Sequence, residues 1–317
     1  MHSILRFAVL VFTFAFINDV LASDQGLLPG ITEKAHYKQA QRPADVPDDA
    51  YLEGSRLRIG TIQIRAENIF NTNKSENDTK LFRLGNRLHI KTREETISKQ
   101  LLFKSGDYYN GRELAESERL LRNRNYLFDA RIRPVRVHQG KVDIEVSTQD
   151  VWTFKPGISL SRSGGKNTSA FELEEINLFG LGSLLRLSNK TSVDRDSLSI
   201  AFRDPNLGSS WWDFSIGYSD NSDGNSNAFG LDHPFYSLDT RQAGGVSWSE
   251  FNRINSRYDL GIITEQFFIK EKDAQVFYGW SSGYKDGWTN RYRSGLTYDQ
   301  REFSSVGGSR STINLPE

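Results

Sequence analysis

From Val151 onward the chain reads as short segments in which apolar and polar residues alternate with a period of two, a pattern that points to half-exposed strands and away from helices. Trp152, Phe154, Ile158 and Leu160 alternate with Thr153, Lys155, Ser159 and Ser161. Leu198, Ile200 and Phe202 alternate with Ser197, Ser199 and Arg203, and Phe214, Ile216 and Tyr218 with Asp213, Ser215 and Gly217. The pattern returns at Tyr258, Leu260 and Ile262, at Val276, Tyr278 and Trp280, and at Leu296 and Tyr298. Turn-forming clusters such as Ser163–Asn167 and Asp220–Asn225 separate the segments. Roughly ten strands of about 9–11 residues are expected, the length a tilted strand needs to cross a bilayer. A secreted sandwich also alternates, since one face of each sheet points into its core. Here the polar face is rich in Ser, Gly, Asn and charge, while the apolar face favours aromatic and branched residues. Hydrophobic residues make up only 37% of the chain yet aromatics reach 12%, which suits strands that are apolar on one side and rims that carry aromatic girdles. The segment 151–317 is therefore predicted to be part of an antiparallel transmembrane β-barrel with a lipid-facing wall and a wet lumen.

The N-terminus prepares the chain for export. Arg6, the apolar run Phe7–Ile17 and Val20-Leu21-Ala22 have the charge, length and small-residue exit of a secretory signal, so cleavage is expected before Ser23. The apolar run is well short of the ~20 residues that a membrane-spanning helix needs. Residues 23–54 hold Pro29, Pro43 and Pro47 and the acidic run Asp45–Asp49, and are expected to form a mobile linker. Cysteine is absent, which rules out disulfides and thiolate sites. Forty basic residues balance forty acidic ones, so no charge excess points to nucleic acid.

Between these parts, residues 57–150 change period. Leu57, Ile59, Ile62 and Ile64 predict a strand, and the polar stretch Asn71–Lys80 interrupts the chain before Leu88 and Ile90. Thr92 with Glu95 reads as a capping box ahead of Ile97, Leu101 and Leu102, with Gly106-Asp107 ending that helix. Asn110 with Glu113 repeats the box ahead of Leu114, Leu120 and Leu121. A hairpin follows: Phe128–Val137, a turn at His138-Gln139-Gly140, then Lys141–Asp150 with Val142, Ile144 and Val146 on one face. Pro134 cannot donate a ladder hydrogen bond, so the first of these strands is expected at an edge or with a bulge. The predicted order is β-α-α-β-β.

Two sets of residues resemble a known family. In the module they are Leu102–Tyr109, Leu114, Leu120-Leu121, Tyr126-Leu127-Phe128 and the closing Gly140–Val146; in the strand region, Glu174–Ser183 and Phe202–Leu207. Their order along the chain is similar to that of the BamA/TamA superfamily of outer-membrane assembly and translocation proteins (bacterial surface antigen type), in which 57–150 resembles a polypeptide-transport-associated (POTRA) domain. Only one such module is apparent, Leu181-Gly182-Ser183 varies on the commoner Thr-Gly turn, and the family's late Arg-Gly motif is missing. The resemblance implies an outer-membrane protein with a periplasmic N-terminal domain. Its implied partners are unfolded outer-membrane or secreted polypeptides, outer-membrane lipid and periplasmic partner proteins. The module would capture extended client chains by β-augmentation. The strand with the expected free edge supplies the candidate contacts Phe128, Ile132, Val135 and Val137. The alternative is a channel or a secreted β-rich binding protein with a structural N-terminal module. Barrels of the family close with about sixteen strands, an even number as usual for this class. Ile313–Glu317 makes a poor closing strand. The chain as written is thus expected not to close its barrel.

No enzyme, cofactor or metal is expected. His2, His36, His89, His138 and His233 show no ligand spacing and read as surface or loop residues. No Gly-x-Ser-x-Gly elbow exists. Gly180-Leu181-Gly182 lacks the third glycine of a dinucleotide fingerprint and reads as a strand turn. Glu172 and Glu174 share a strand face, with Glu175 beside them, and read as lumenal or solvated rather than as an acid/base pair. Arg131, Arg133 and Arg136 read as a solvated strand face, with lipid head groups as the alternative ligand.

Overall fold

A computed structural model describes residues 42–69, 83, 85–87, 89–163, 166–192, 195–260 and 262–306. The expected signal sequence, most of the expected linker, the polar stretch Asn71–Lys80, Leu88 and the terminal Ile313–Glu317 lie outside the described residues. A three-stranded module is followed by a nine-stranded antiparallel sheet.

The module opens with α1 (Asp49–Gly54), capped by Asp48, whose side chain accepts from the Tyr51 N–H. Leu52 of α1 is fully buried in the module core. Residues 42–54 therefore are not the mobile linker expected of them: an apolar side chain on this short helix anchors the stretch. Strand β1 (Arg58–Glu67) leads to α2 (Glu94–Ser98) and α3 (Gly111–Arg122), then to β2 (Leu127–His138) and β3 (Lys141–Asp150). The order β-α-α-β-β holds, with α1 added in front. In the sheet β3 is central, parallel to β1 and antiparallel to β2. Val142, Ile144 and Val146 of β3 are fully buried against Leu121, Ile97 and Leu52, so the alternation read from the hairpin is that of a strand with one face on the core.

The two expected capping boxes part company. Asn110 caps α3, accepting from the N–H groups of Arg112 and Glu113, and loss of that cap in Asn110→Ala is expected to cost about 0.5–2 kcal/mol in a urea melt of the full chain. Thr92 does not cap α2. The N-cap position falls to Arg93, which makes no side-chain cap bond, and the helix ends at Ser98, well before Gly106. Thr92 is buried and spends its hydroxyl on another part of the molecule, described below. The turn between β2 and β3 is a two-residue one: Gln139 and Gly140 both have positive φ, 46° and 74°, as a tight hairpin with matching twist requires.

Beyond the module come β4 (Phe154–Ser163), β5 (Lys166–Leu178), β6 (Ser183–Thr191), β7 (Asp196–Leu207), β8 (Trp212–Asn221), β9 (Gly224–His233), β10 (Gln242–Asp259), β11 (Ile262–Lys285) and β12 (Trp288–Ser305). Each pairs with its chain neighbours in a simple meander, β4 and β12 being the two edges. Among the described residues the sheet is open and has nine strands where roughly ten were expected. Strands β4–β9 run 9–13 residues, whereas β10, β11 and β12 run 18, 24 and 18. At about 3.3 Å per residue the last three are far longer than a bilayer crossing requires.

Register turns the sequence alternation into two continuous surfaces. On one face Leu173, Leu187, Ile200 and Tyr218 lie in one cross-strand row, and Leu185, Phe202, Ile216, Phe229 and Trp248 in the next. These side chains are half-buried or exposed, Ile216 being 50% accessible, and Ile158 and Leu160 on β4 reach 74% and 78%. The opposite face carries Glu174 paired with Arg186 and Lys155, then Ser199, Ser215, Gly217, Ser219 and the Arg203–Asp213 ion pair. A wide sheet whose apolar side is exposed, with no layer packed over it among the described residues, is the inverse of a water-soluble sandwich. No helix among the described residues is long and apolar enough to cross a membrane.

Candidate functional site

The module has two sheet edges, and an edge is where a sheet can accept another extended chain. The expected edge, β2, is an edge, and it carries bulges as well: register shifts fall between Leu127 and Asp129 and between Pro134 and Arg136. Phe128 and Val135 are the residues these shifts leave unpaired. Phe128 is 44% exposed, while Ile132 and Val137 pack partly against the core. The four candidate residues thus do not line up on one side of a continuous ladder. The outer side of β2 is also occupied from within. The Ile132 N–H donates to Glu118 Oε2 at 2.7 Å, and Arg122 Nε donates to the Ala130 carbonyl at 2.9 Å. Glu118 and Arg122 sit one turn apart on α3 and form an ion pair of their own at 2.8 Å. Nothing local to the α3 sequence signals that these side chains reach the strand edge.

The other edge, β1, divides at a bulge near Gly60 and Thr61. Before the bulge the segment 105–109 covers it: the Ile59 N–H donates to the Asp107 carbonyl, Gly106 N–H to Ile59, and Tyr109 N–H to Leu57. At the bulge, Ser105 Oγ donates to the Gly60 carbonyl and the Thr61 N–H to Asp143 Oδ1. Past it, Ile62–Glu67 pair with β3 on one side, and no backbone hydrogen bond to the other side occurs among the described residues.

The sheet face away from the helices is a lattice of charge pairs. Arg65 and Arg133 flank Glu145 from the two outer strands, Arg131 bonds Asp129, and Arg136 and His138 converge on Asp143. All three arginines considered for lipid head groups are therefore engaged with carboxylates inside the module. Burial raises the Asp143 carboxyl pKa, but the bonds from Thr61, Arg136 and His138 outweigh it and hold the group below its ordinary 3.8. A carboxyl whose folded pKa is depressed adds stability above its unfolded pKa and loses that contribution as pH falls through the folded value. Asp143→Asn is accordingly expected to lower the melting temperature at neutral pH and to flatten the loss of stability below about pH 4, which melts taken from about pH 2 to pH 7 would check.

The module is pinned to the hairpin turns at one end of the large sheet. In the β5–β6 turn the Gly180 carbonyl accepts from the Arg93 N–H at 3.1 Å and from Thr96 Oγ1 at 2.9 Å, and near the end of β5 Asn177 Nδ2 donates to Thr92 Oγ1 at 2.8 Å. From the end of β7 Asn206 Nδ2 donates to the Lys99 carbonyl. From the β9–β10 connection the Leu238 N–H donates to Glu116 Oε1, and Asp239 pairs with Arg112. Arg112 also lies over the Tyr284 ring, near the β11–β12 turn. Gly180-Leu181-Gly182 is thus a strand turn, as read, with a docking role that the sequence did not disclose. At the junction itself His89 Nε2 lies 2.8 Å from Asp150 Oδ2, with both side chains buried, and the Thr92 N–H donates to the same oxygen. His89 was expected at the surface. Its burial follows from Asp150, the last residue of β3, which needs a partner where the two parts meet. Among the described residues no cluster of three or more His, Asp or Glu side chains is placed to hold a metal ion.

Comparison with known proteins follows this division. Residues 85–149 match the POTRA family, described as a surface antigen variable number repeat. No curated protein is similar enough to the chain to match. Among solved structures, BamA from Haemophilus ducreyi lacking POTRA domains 1–3 matches with a TM-score of 0.35 and 13% identity over 78% of this chain and 56% of that one. CdiB from Acinetobacter baumannii matches with a TM-score of 0.41 and 15% identity over 78% of this chain and 48% of that one. The chain thus spans about half the length of these two structures. Residues 85–149 thus match a POTRA domain, within the 57–150 module where the resemblance to one was expected.

Proposed function

We propose that the protein is a non-enzymatic outer-membrane factor for the assembly or translocation of polypeptides. Its module stands in the periplasm and captures extended client chains by β-augmentation, and its sheet forms part of a barrel wall to or through which the client passes. The observation that carries this reading is the outward apolar surface of the open sheet, backed by a polar inner face, with the module fastened to the turns at one end. Such a surface has lipid as its natural solvent, and the module then lies at the membrane face, where a client would arrive. Unfolded outer-membrane or secreted polypeptides are the proposed clients, and periplasmic proteins the proposed partners. The test uses the full chain in a Gram-negative-type cell. Recovery with the outer-membrane fraction, together with retention of a denatured porin and not of the same porin folded, is the expected result. Recovery in the soluble periplasm, or equal retention of folded and denatured porin, would overturn it.

A further inference from the structure

One row across the far end of the module's sheet carries cations without counter-ions. By register it runs Tyr108, Arg58, Lys141 and His138, from the segment 105–109 over β1 and β3 to β2. Like charges set side by side on neighbouring strands weaken a sheet, so Arg58 next to Lys141 is a placement that folding alone does not favour. Arg56 joins the row: its guanidinium and that of Arg58 lie 5.1 Å and 4.2 Å from the centre of the Tyr108 ring. Arg56, Arg58, Tyr108 and Lys141 are all exposed. Among the described residues no carboxylate pairs with Arg56, Arg58 or Lys141.

Elsewhere on the same sheet face the pattern is the reverse. Arg65, Arg131, Arg133 and Arg136 are each engaged with a carboxylate. Asp143, two residues from Lys141, is already bonded by the Thr61 N–H, Arg136 and His138. Glu53 and Asp107, which line a hollow together with Tyr108, accept from the backbone N–H groups of Gly111 and Lys104. Arg58 donates to the Gly106 carbonyl at 2.7 Å and to the Tyr108 hydroxyl at 3.1 Å, which holds its guanidinium in place and leaves the rest of its donors unspent. Arg56 makes no side-chain hydrogen bond among the described residues. Guanidinium groups steadied on an aromatic ring have little freedom left to lose when an anion arrives.

We infer that this end of the module is a docking surface for an acidic segment of a polypeptide partner in the periplasm, whose carboxylates bond Arg56, Arg58 and Lys141. The inference rests on the proposed function for the module's place in the periplasm, and adds to it the surface and the chemistry of one partner. The contact is made by side chains and not by the sheet edge, since β1 is covered here by 105–109. Position selects polypeptide over lipid: β3 runs ten residues from Lys141 to Asp150 at the junction, about 30 Å at about 3.3 Å per residue, so the patch stands well away from the turns of the large sheet. Composition selects it too. Arginine and tyrosine side by side dominate contacts between proteins, and the guanidinium fork matches a carboxylate.

The experiment measures binding of a dye-labelled peptide of Glu-Glu-Ser repeats to the full chain held in phosphatidylcholine nanodiscs. Its controls are the same peptide with Gln for every Glu, and phosphatidylglycerol vesicles. Binding of the Glu peptide and not of the Gln peptide is the expected result, weakened about tenfold in Arg56→Gln and further in Arg56→Gln with Arg58→Gln, as loss of charge-assisted bonds requires. Arg56→Gln has no side-chain hydrogen bond to lose within the module, so its effect reads the contact and not the fold. Arg65→Gln, which removes a cation already paired with Glu145, should leave the affinity unchanged. An equal loss in Arg65→Gln would show attraction to charge at large and overturn the inference. Tighter binding to the phosphatidylglycerol vesicles than to the peptide would assign the patch to lipid and overturn it as well. Failure of the Glu peptide to bind a chain that still fractionates with the outer membrane and retains denatured porin would overturn the inference while leaving the proposed function standing.

Discussion

Lysine in place of Ile216 is expected to stop the sheet from entering lipid, whereas lysine in place of the adjacent Ser215 leaves insertion largely intact. Ile216 stands in the outward row between Phe202 and Phe229, and Phe214 beside it meets both of those rings at centroid distances of 6.3 Å and 5.9 Å. A cation there faces hydrocarbon and costs up to about 2–4 kcal/mol near the bilayer midplane. Ser215 faces the polar side, opposite Gly230 on β9 and Arg203 on β7, where a lysine chain can reach water. The cost is a large share of the ~5–15 kcal/mol that holds a typical domain together. Insertion of the refolded full chain into lipid vesicles, followed by protease protection, measures it. Equal loss of protection in both variants would argue that neither face meets lipid and that the sheet belongs to a soluble protein.

The second large effect is expected at the docking turn. Gly180 has φ +75°, and a Cβ added to it would stand 2.5 Å from the Lys91 carbonyl oxygen, a backbone atom with no rotamer to yield. At Gly182, with φ +73°, a Cβ would press on the ring of the buried Tyr126 at 2.8 Å. Gly180→Ala therefore combines about 1–3 kcal/mol of left-handed backbone strain with about 1–3 kcal/mol of overpacking. The same turn provides the acceptor for the Arg93 N–H and Thr96 Oγ1, so the module should release from the sheet before either part unfolds. Gly208→Ala separates the two contributions, because Gly208 has φ +60° and nothing within 4 Å of its added Cβ. Faster hydrogen exchange at the Arg93 amide in Gly180→Ala, and not in Gly208→Ala, is the expected outcome. Identical exchange in the two variants would show that the close approach at Gly180 does not hold the module in place.

Much of the architecture was legible because it follows from neighbours in sequence. Alternation at Phe214-Ser215-Ile216 sets which side chains share a face as soon as the segment is extended, whatever the strand pairs with. The Gln139-Gly140 turn and the Asn110 cap are likewise decided within a few residues, and both formed where expected. Thr92 shows the limit of such reasoning. Its spacing to Glu95 satisfies a capping pattern, but Asn177 near the end of β5 claims its hydroxyl, and tertiary bonding overrode the local preference. Residues 42–54 misled in a similar way. Proline and acidic residues read as a linker, while the fully buried Leu52 ties the stretch to the core.

The candidate edge was legible only in part. Pro134 marks a strand without a full complement of donors, and that strand is an edge, but a proline says nothing about whether the edge is free. Occupation of β2 depends on Glu118 and Arg122, which are fourteen residues from Ile132 and eight from Ala130 and reach them only after α3 packs against β2. On β1 the segment 105–109 pairs only as far as the Gly60 bulge, a matter of where two distant segments part. By itself the sequence determined the period, the turns, the order β-α-α-β-β and the apolar face of the sheet, since each is set by local geometry and burial pattern. Only the tertiary structure decided how the β2 edge is covered and how the module meets the sheet, because those depend on hydrogen bonds such as Thr96 to Gly180, across 84 residues, whose partners no local pattern can identify.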